Sequence, residues 1–252
     1  MSRPGLMLGR LPRKRNSKTL LFSNYLRASA LPPPPTKKAW EYKVSPSGWG
    51  MYGNDTIGDC TCAAVAHMLI EAESNTGKIN MPPLSSIISA YSTVSGYDPV
   101  TGQNDNGAAI TDVLNLWQTS GIASSKILGW VQVDQTNIEQ MKQAIYLFGS
   151  IDIGVNLPNS AMDQFEANQA WAVLPNDGGV DGGHSIPLFG YGSEGASCIT
   201  WAKIQPMEWQ WLQKYCDEAY AAILPEWLNA AGIAPNDLDL EALKTDLESI
   251  RS

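Results

Sequence analysis

Gly53-Asn54-Asp55-Thr56-Ile57-Gly58-Asp59-Cys60-Thr61-Cys62-Ala63-Ala64 reads as a polar loop that carries an amide side chain and then sets a thiol at the mouth of a helix. Gly53, Gly58 and the Asx residues Asn54, Asp55 and Asp59 precede an alanine-rich run without helix breakers. Asp59 is therefore a plausible N-cap, with Cys60 in the first helical turn. Unpaired backbone N–H groups and the helix dipole favour negative charge there, which predicts a thiol pKa below the free value of about 8.5. Taken alone, the stretch equally fits a free cysteine at the start of a buried helix, so its meaning depends on the rest of the chain.

With 252 residues, 44% of them hydrophobic, the chain can bury a large core as one domain or as one domain with appendages. No apolar run approaches the roughly 20 residues of a bilayer span, and the basic N-terminus lacks the apolar region of a secretory signal, so a cytoplasmic or virion-associated setting is expected. The four cysteines, Cys60, Cys62, Cys198 and Cys216, are too few and too irregular for a disulfide framework. Cys60-Thr61-Cys62 also lacks the spacing of zinc or redox pairs, and no metal or cofactor is expected. The net charge of −8 conceals a division: residues 1–40 hold nine of the 17 Lys and Arg and no acid, which leaves eight bases against 25 acids in the remainder. Such an arm is attracted to its own body, to a neighbouring copy or to an acidic protein partner. Arg13-Lys14-Arg15 has no interleaved aromatics and no recognisable binding fold around it, so nucleic acid is disfavoured, and no membrane contact is expected.

Residues 1–45 lack sustained periodicity and contain Leu31-Pro32-Pro33-Pro34-Pro35, the composition of an extended polyproline arm. A buried helix is expected over 60–74, ending at Asn75-Thr76-Gly77. His67 lies on it, seven residues and roughly 10 Å beyond Cys60, too far to take its proton, and is read as a packing residue. Helices are expected over 84–94, 108–119 and 137–148, and strands over 130–133 and 151–155. The Asx-rich loop 96–107 lacks the spacing of an EF-hand and a closing glutamate, so turn chemistry is the better account of it than calcium. Gly182-Gly183-His184 opens a strand that projects the imidazole, with 197–201 returning beside it as a hairpin. Residues 206–215 are expected to be helical and 218–224 a strand. From Pro225 an acidic appendage follows, with Leu240, Leu243, Leu247 and Ile250 on one helical face.

A cysteine on an early helix and a histidine on a later sheet make residues 46–224 resemble the papain-like cysteine peptidases. His184 and Thr200 stand 124 and 140 residues after Cys60, against about 130–150 for that family's histidine and asparagine. Gly58-Asp59-Cys60 resembles its Gly-Ser-Cys, and Asn106-Gly107 resembles its substrate-cradling Gly-Gly. Gly121-Ile122 and the run 137–156 match in order, and Gly183-His184 through Gly190-Tyr191-Gly192 resembles its histidine strand. Phage- and bacterium-encoded papain-fold proteins of unsettled role are the more similar branch. The resemblance implies an α+β fold, with a helical half over 46–130 carrying the cysteine and an antiparallel β half over 131–224 carrying the histidine. Residues 1–45 are then an arm and 225–252 an appendage.

It also implies roles for individual residues. Cys60 would be the nucleophile and His184 its base, Asn54 an oxyanion donor where the family has glutamine, and Thr200 the partner of the histidine where the family has asparagine. Asn106, Gly107, Gly183 and Trp201 would line the substrate. Ile57 stands where the family has a disulfide cysteine, and Thr61 replaces a tryptophan. Two functions follow as expectations. One is a thiol hydrolase acting on a peptide or protein. The other is a catalytically idle structural protein, such as a phage capsid decoration or cement protein, that docks through residues 1–45.

Overall fold

A computed structural model describes residues 5–14, 19–24, 33–78 and 81–227. In chain order, the short strand β1 (Lys38–Ala39) precedes α1 (Cys60–Asn75), α2 (Leu84–Ser95) and α3 (Ile110–Thr119). The sheet then begins with β2 (Gly129–Gln132), followed by α4 (Ile138–Phe148), β3 (Ile151–Pro158) and α5 (Asn159–Glu166). It is completed by β4 (Val180–Tyr191), β5 (Gly195–Thr200), β6 (Lys203–Glu208), α6 (Trp209–Tyr215) and β7 (Cys216–Ile223). The strands form one antiparallel sheet in the order β2-β7-β3-β4-β5-β6, with β1 paired to β4. This is the expected α+β arrangement: helices first, sheet second.

α1 is the axis of the molecule. It packs against β4 on one side and α2 and α3 on the other, so nearly every residue from Cys60 to Ser74 is buried. A helix that is apolar all round is a core helix, and that is why its few polar side chains need partners. His67 finds the Gly50 carbonyl at 3.0 Å and sits edge-on to Trp49 and Tyr52. It is the packing histidine that its position on the helix implied. Trp49 in turn stacks on Phe189 of β4, which joins helix and sheet.

The remaining helices and strands follow their local signals closely. Asn137 caps α4 by accepting from the Gln140 N–H at 3.0 Å, and Gly96 closes α2 in the left-handed region at φ 77°. The stretch 206–215 is corrected. Its first residues belong to β6, and only Trp209–Tyr215 is helical. Pro206 is tolerated in the strand because β6 is at the edge of the sheet. α5, which follows Pro158, was not expected; it is only eight residues long and largely polar, with Ala161, Met162 and Phe165 buried.

Of the C-terminal appendage, Pro225–Trp227 is described and packs against the body; Leu240, Leu243, Leu247 and Ile250 lie outside the described residues. Trp227 is fully buried, donates to the Leu147 carbonyl at 3.0 Å and meets Trp40 edge-on at 4.9 Å. No helix among the described residues is long and apolar enough to cross a membrane. Trp227→Ala removes a buried aromatic and a satisfied indole N–H together, so it should lower unfolding free energy by about 3–5 kcal/mol, read as a drop in the urea midpoint.

Candidate active site

Cys60 opens α1 and His184 sits within β4, and the two line one small cavity with Asn54, Ser185, Thr200 and Trp201. The cavity measures about 10 Å³, room for roughly one water molecule. His184 Nε2 lies 2.7 Å from Thr200 Oγ1, while Nδ1 has no hydrogen-bond partner. When Nε2–H donates to Thr200, Nδ1 holds the lone pair that could take a thiol proton. Trp201 lies flat on the imidazole, with ring centroids 4.5 Å apart and planes inclined by 13°. It reaches that place from the two-residue turn between β5 and β6, where Trp201 and Ala202 both adopt positive φ, 43° and 60°. A large side chain in that region is strained, and stacking on the imidazole and the bond from Nε1 to the Met7 carbonyl hold the indole there.

The N-terminal arm threads the cleft above this pair. Met7 N–H donates to the Asn54 carbonyl at 3.1 Å, and Trp201 Nε1 donates to the Met7 carbonyl at 3.2 Å. Gly9 and Arg10 N–H both reach the Gly183 carbonyl, at 3.2 and 3.0 Å. Ala108 N–H donates to the Gly9 carbonyl and Leu11 N–H to the Ala108 carbonyl, each at 2.9 Å, which makes a parallel bridge between Arg10 and Ala108. Glycines make the slot. A Cβ on Gly9 would overlap the Gly58 carbonyl, one on Gly107 the Gly9 carbonyl, and one on Gly183 the Arg10 carbonyl. Gly107, Gly183 and Trp201, singled out as substrate-lining, thus all touch a peptide, and it is the chain's own. Asn106 is exposed, and the pairing passes instead to Ala108, which the sequence did not mark.

Closure reverses the expected electrostatics. The thiol was expected below its usual pKa; instead burial pushes Cys60 up to about 12, against the opposing backbone amides of Ser185 and Gly9. Desolvation therefore outweighs the helix dipole. Burial likewise lowers His184 to about 3, with Arg10 adding to the effect. Asp59 occupies the N-cap position without a capping hydrogen bond, and burial raises its carboxyl to about 8. Asp152, which accepts from Ser185 Oγ at 2.8 Å, is raised to about 8 for the same reason. The closed site holds a neutral thiol beside a neutral imidazole. Asn54 directs a side-chain N–H to the Ile57 carbonyl at 3.2 Å, and its amide also interacts with the buried Asp59 carboxyl.

A further residue fixes the nucleophile loop. The Asp105 carboxylate accepts from the Gly58 N–H at 2.9 and 3.2 Å and from the Tyr91 hydroxyl at 2.6 Å, tying the Asx-rich loop to the residues before Cys60. That loop's remaining carboxylate chemistry is local: Asp98 accepts from Val100 N–H and Thr101 Oγ1 at 2.8 and 2.7 Å, which is an Asx turn.

No protein-family profile matches this chain, and no curated protein matches it in sequence. Solved structures do. Xylellain, a cysteine protease from Xylella fastidiosa, superposes with a TM-score of 0.62 at 15% identity, over 88% of this chain and 97% of that one. The proform of cathepsin B from Trypanosoma congolense gives 0.59 at 12% identity over 86% of each chain. Digestive procathepsin L 3 of Tenebrio molitor gives 0.56 at 11%, over 87% of this chain and 76% of that one. The chain has the papain-like fold.

The buried groups set a pH dependence. His67 and His184 are neutral down to about 4 and about 3 in the fold, against 6.5 when exposed. Their contribution is complete above pH 6.5 and is lost as pH falls towards those values. Asp59 and Asp152 stay protonated up to about 8 against 3.8 when exposed, so theirs is complete below 3.8 and lost as pH rises to 8. The two pairs offset between about pH 4 and 6.5; above that only the carboxyls act, each costing about 1.4 kcal/mol per pH unit. Glu41 and Glu71, also raised by burial, act in the same direction. The melting temperature should therefore fall gently as pH rises through mild acid and more steeply from pH 6.5 to 8, where the histidines no longer offset the carboxyls, with Asp59→Asn making that fall shallower; a rise from pH 6.5 to 8 would contradict the assignment.

Proposed function

We propose that the chain is a papain-like thiol hydrolase, a peptidase or amidase, held closed by its own residues 7–11. The observation that carries the reading is the paired placement of the two chemical groups. Thr200 holds one edge of His184 and leaves Nδ1 free in the cavity that Cys60 shares, while an extended peptide lies hydrogen-bonded along both walls. Once the arm leaves, water returns, the desolvation that raises the thiol is relieved, and His184 can hold Cys60 as a thiolate. An Asn54 N–H, turned away from Asp59, and the Cys60 backbone N–H would then face the developing oxyanion. The Gly9 backbone amide of the arm is one of the groups set against the thiol.

The second reading, an idle structural protein such as a phage capsid decoration protein, draws on the same closure: a cavity of about 10 Å³ and a thiol near 12 suit a site that is never used. Gly9→Val separates the two, since its side chain cannot pass Gly58 and the arm must lift. On the hydrolase reading, a peptidyl epoxide alkylates Cys60 of this variant at least about tenfold faster than wild type, and His184→Ala abolishes the gain. Equal, slow labelling of all three would leave the structural reading. In the same background, Asn54→Ala should lower kcat by about 10²–10³ if its amide stabilises the oxyanion.

A further inference from the structure

The arm is held by more than its backbone. Arg10 turns off the cleft into a pocket in the sheet, where its side chain is 1% exposed. Its Nη1 meets Glu218 Oε1 at 2.6 Å and Asp217 Oδ1 at 3.0 Å. Its Nη2 donates to Asn156 Oδ1 at 3.0 Å, Asp217 Oδ2 at 3.2 Å and the Val155 carbonyl at 3.3 Å. The acceptors are themselves oriented: Tyr220 hydroxyl donates to Glu218 Oε2 at 2.9 Å, and Asn156 Nδ2 to Asp217 Oδ2 at 2.9 Å. Gly154 leaves the space, since a Cβ there would fall 2.6 Å from Glu218 Cγ and 2.8 Å from Arg10 Cδ. Glu218 is 1% exposed at the base, and Asp217, 39% exposed, stands at the rim.

We propose that this pocket, formed by Gly154, Val155, Asn156, Asp217 and Glu218, is an arginine-recognition subsite of the cleft, occupied here by Arg10 and open to the arginine of a peptide presented in trans. The proposal rests on the reading of the cleft as a peptide-binding site and adds its substrate class. The rails that hold the arm, Gly183 and Ala108, pair only with backbone, and the slot at the residue before Arg10 has room for no side chain. Selection therefore falls to the side chain that enters one residue away from the amide facing Cys60. Both terminal guanidinium nitrogens are used, on acceptors at two sides of the pocket, while Nε has no partner. A lysine ammonium presents a single nitrogen and cannot span them. A neutral side chain would leave Glu218 buried without its cation, which is strongly unfavourable. The body, with eight bases against 25 acids outside the arm, attracts such a ligand at long range.

The test uses the full-length chain and needs no turnover. Arg10→Ala empties the pocket, and N-acetylarginine amide should then raise the melting temperature by about 3 °C or more at ten times its Kd. N-acetyllysine amide and N-acetylnorleucine amide should have little effect, wild type should not respond, and Arg10→Ala combined with Glu218→Gln should lose the response. Should Arg10→Ala fail to fold, Arg10→Lys keeps a cation over Glu218, and the arginine amide should still stabilise it by displacing a poorer fit. Absence of a shift in the folded variant, equal shifts from all three amides, or a full shift with Glu218→Gln would overturn the subsite. Cys60 alkylation, measured on the same samples, keeps the two ideas apart. An arginine response with an unreactive thiol upholds the pocket and removes the hydrolase, whereas a reactive thiol without the response does the reverse.

Discussion

The ion pair between Arg10 and Glu218 joins the start of the chain to the last strand of the sheet, 208 residues away, and the closed form of the site depends on it. Both partners are almost wholly removed from water, so neither tolerates the loss of the other: a buried charge without its partner costs several kcal/mol. The pair therefore sets the register of the arm. With Arg10 anchored, Gly9 is the residue over Cys60, and Gly9 is the residue that can pass under the Gly58 and Gly107 backbones. A register shift of one residue would bring a side chain into that slot. The hydrogen bonds to Gly183 and Ala108 then follow without further specificity.

Everything electrostatic in the site follows from that seating. Cys60 stands where a helix N-terminus should favour its thiolate, yet its pKa moves the other way, because the dipole contributes about 0.3–1 kcal/mol and full desolvation several times more. The same burial keeps Asp59 and Asp152 protonated and His184 neutral. The cavity thus holds a neutral thiol and a neutral imidazole, with the two protonated carboxyls buried outside its lining. Geometry and charge state are separable here. Thr200 and Trp201 hold His184 in place from β5 and the turn after it, and Asp105 holds the nucleophile loop from the far side; of these Trp201 also bonds the arm, through the Met7 carbonyl.

Much of this was legible beforehand wherever the signal was local. The alanine-rich run after Cys60, the helical spacing from Asn137 to Phe148, and the glycines before His184 state their conformations within a few residues, and the order of motifs from Gly58-Asp59-Cys60 to Gly190-Tyr191-Gly192 carried the resemblance to the papain-like fold. The segment 206–215 was misread only at its start: Trp209 and Trp211 do lie in the helix, but Pro206-Met207-Glu208 pair with β5, and only the place of β6 at the sheet margin decides that. Asp105 looked like one more turn former in an Asx-rich loop, and nothing in the sequence distinguishes a carboxylate that caps its own turn from one that reaches Gly58. Asp217-Glu218 at the head of an apolar strand was a visible anomaly, and a buried acid there asks for a cation. Its partner, in an arm of nine bases, could not be picked out by pattern.

By itself the sequence determined the order of helices and strands, the pairing of a helix-borne cysteine with a strand-borne histidine, and the division into a basic arm and an acidic body. These follow from short-range periodicity, turn chemistry and charge, all of which are written along the chain. Only the tertiary structure decided that the arm fills its own cleft, that Arg10 is the base that enters the sheet, and that Cys60 is a neutral thiol in the closed form. Those outcomes depend on which distant surfaces exclude water together, and desolvation is a property of the assembled fold that no stretch of residues carries alone.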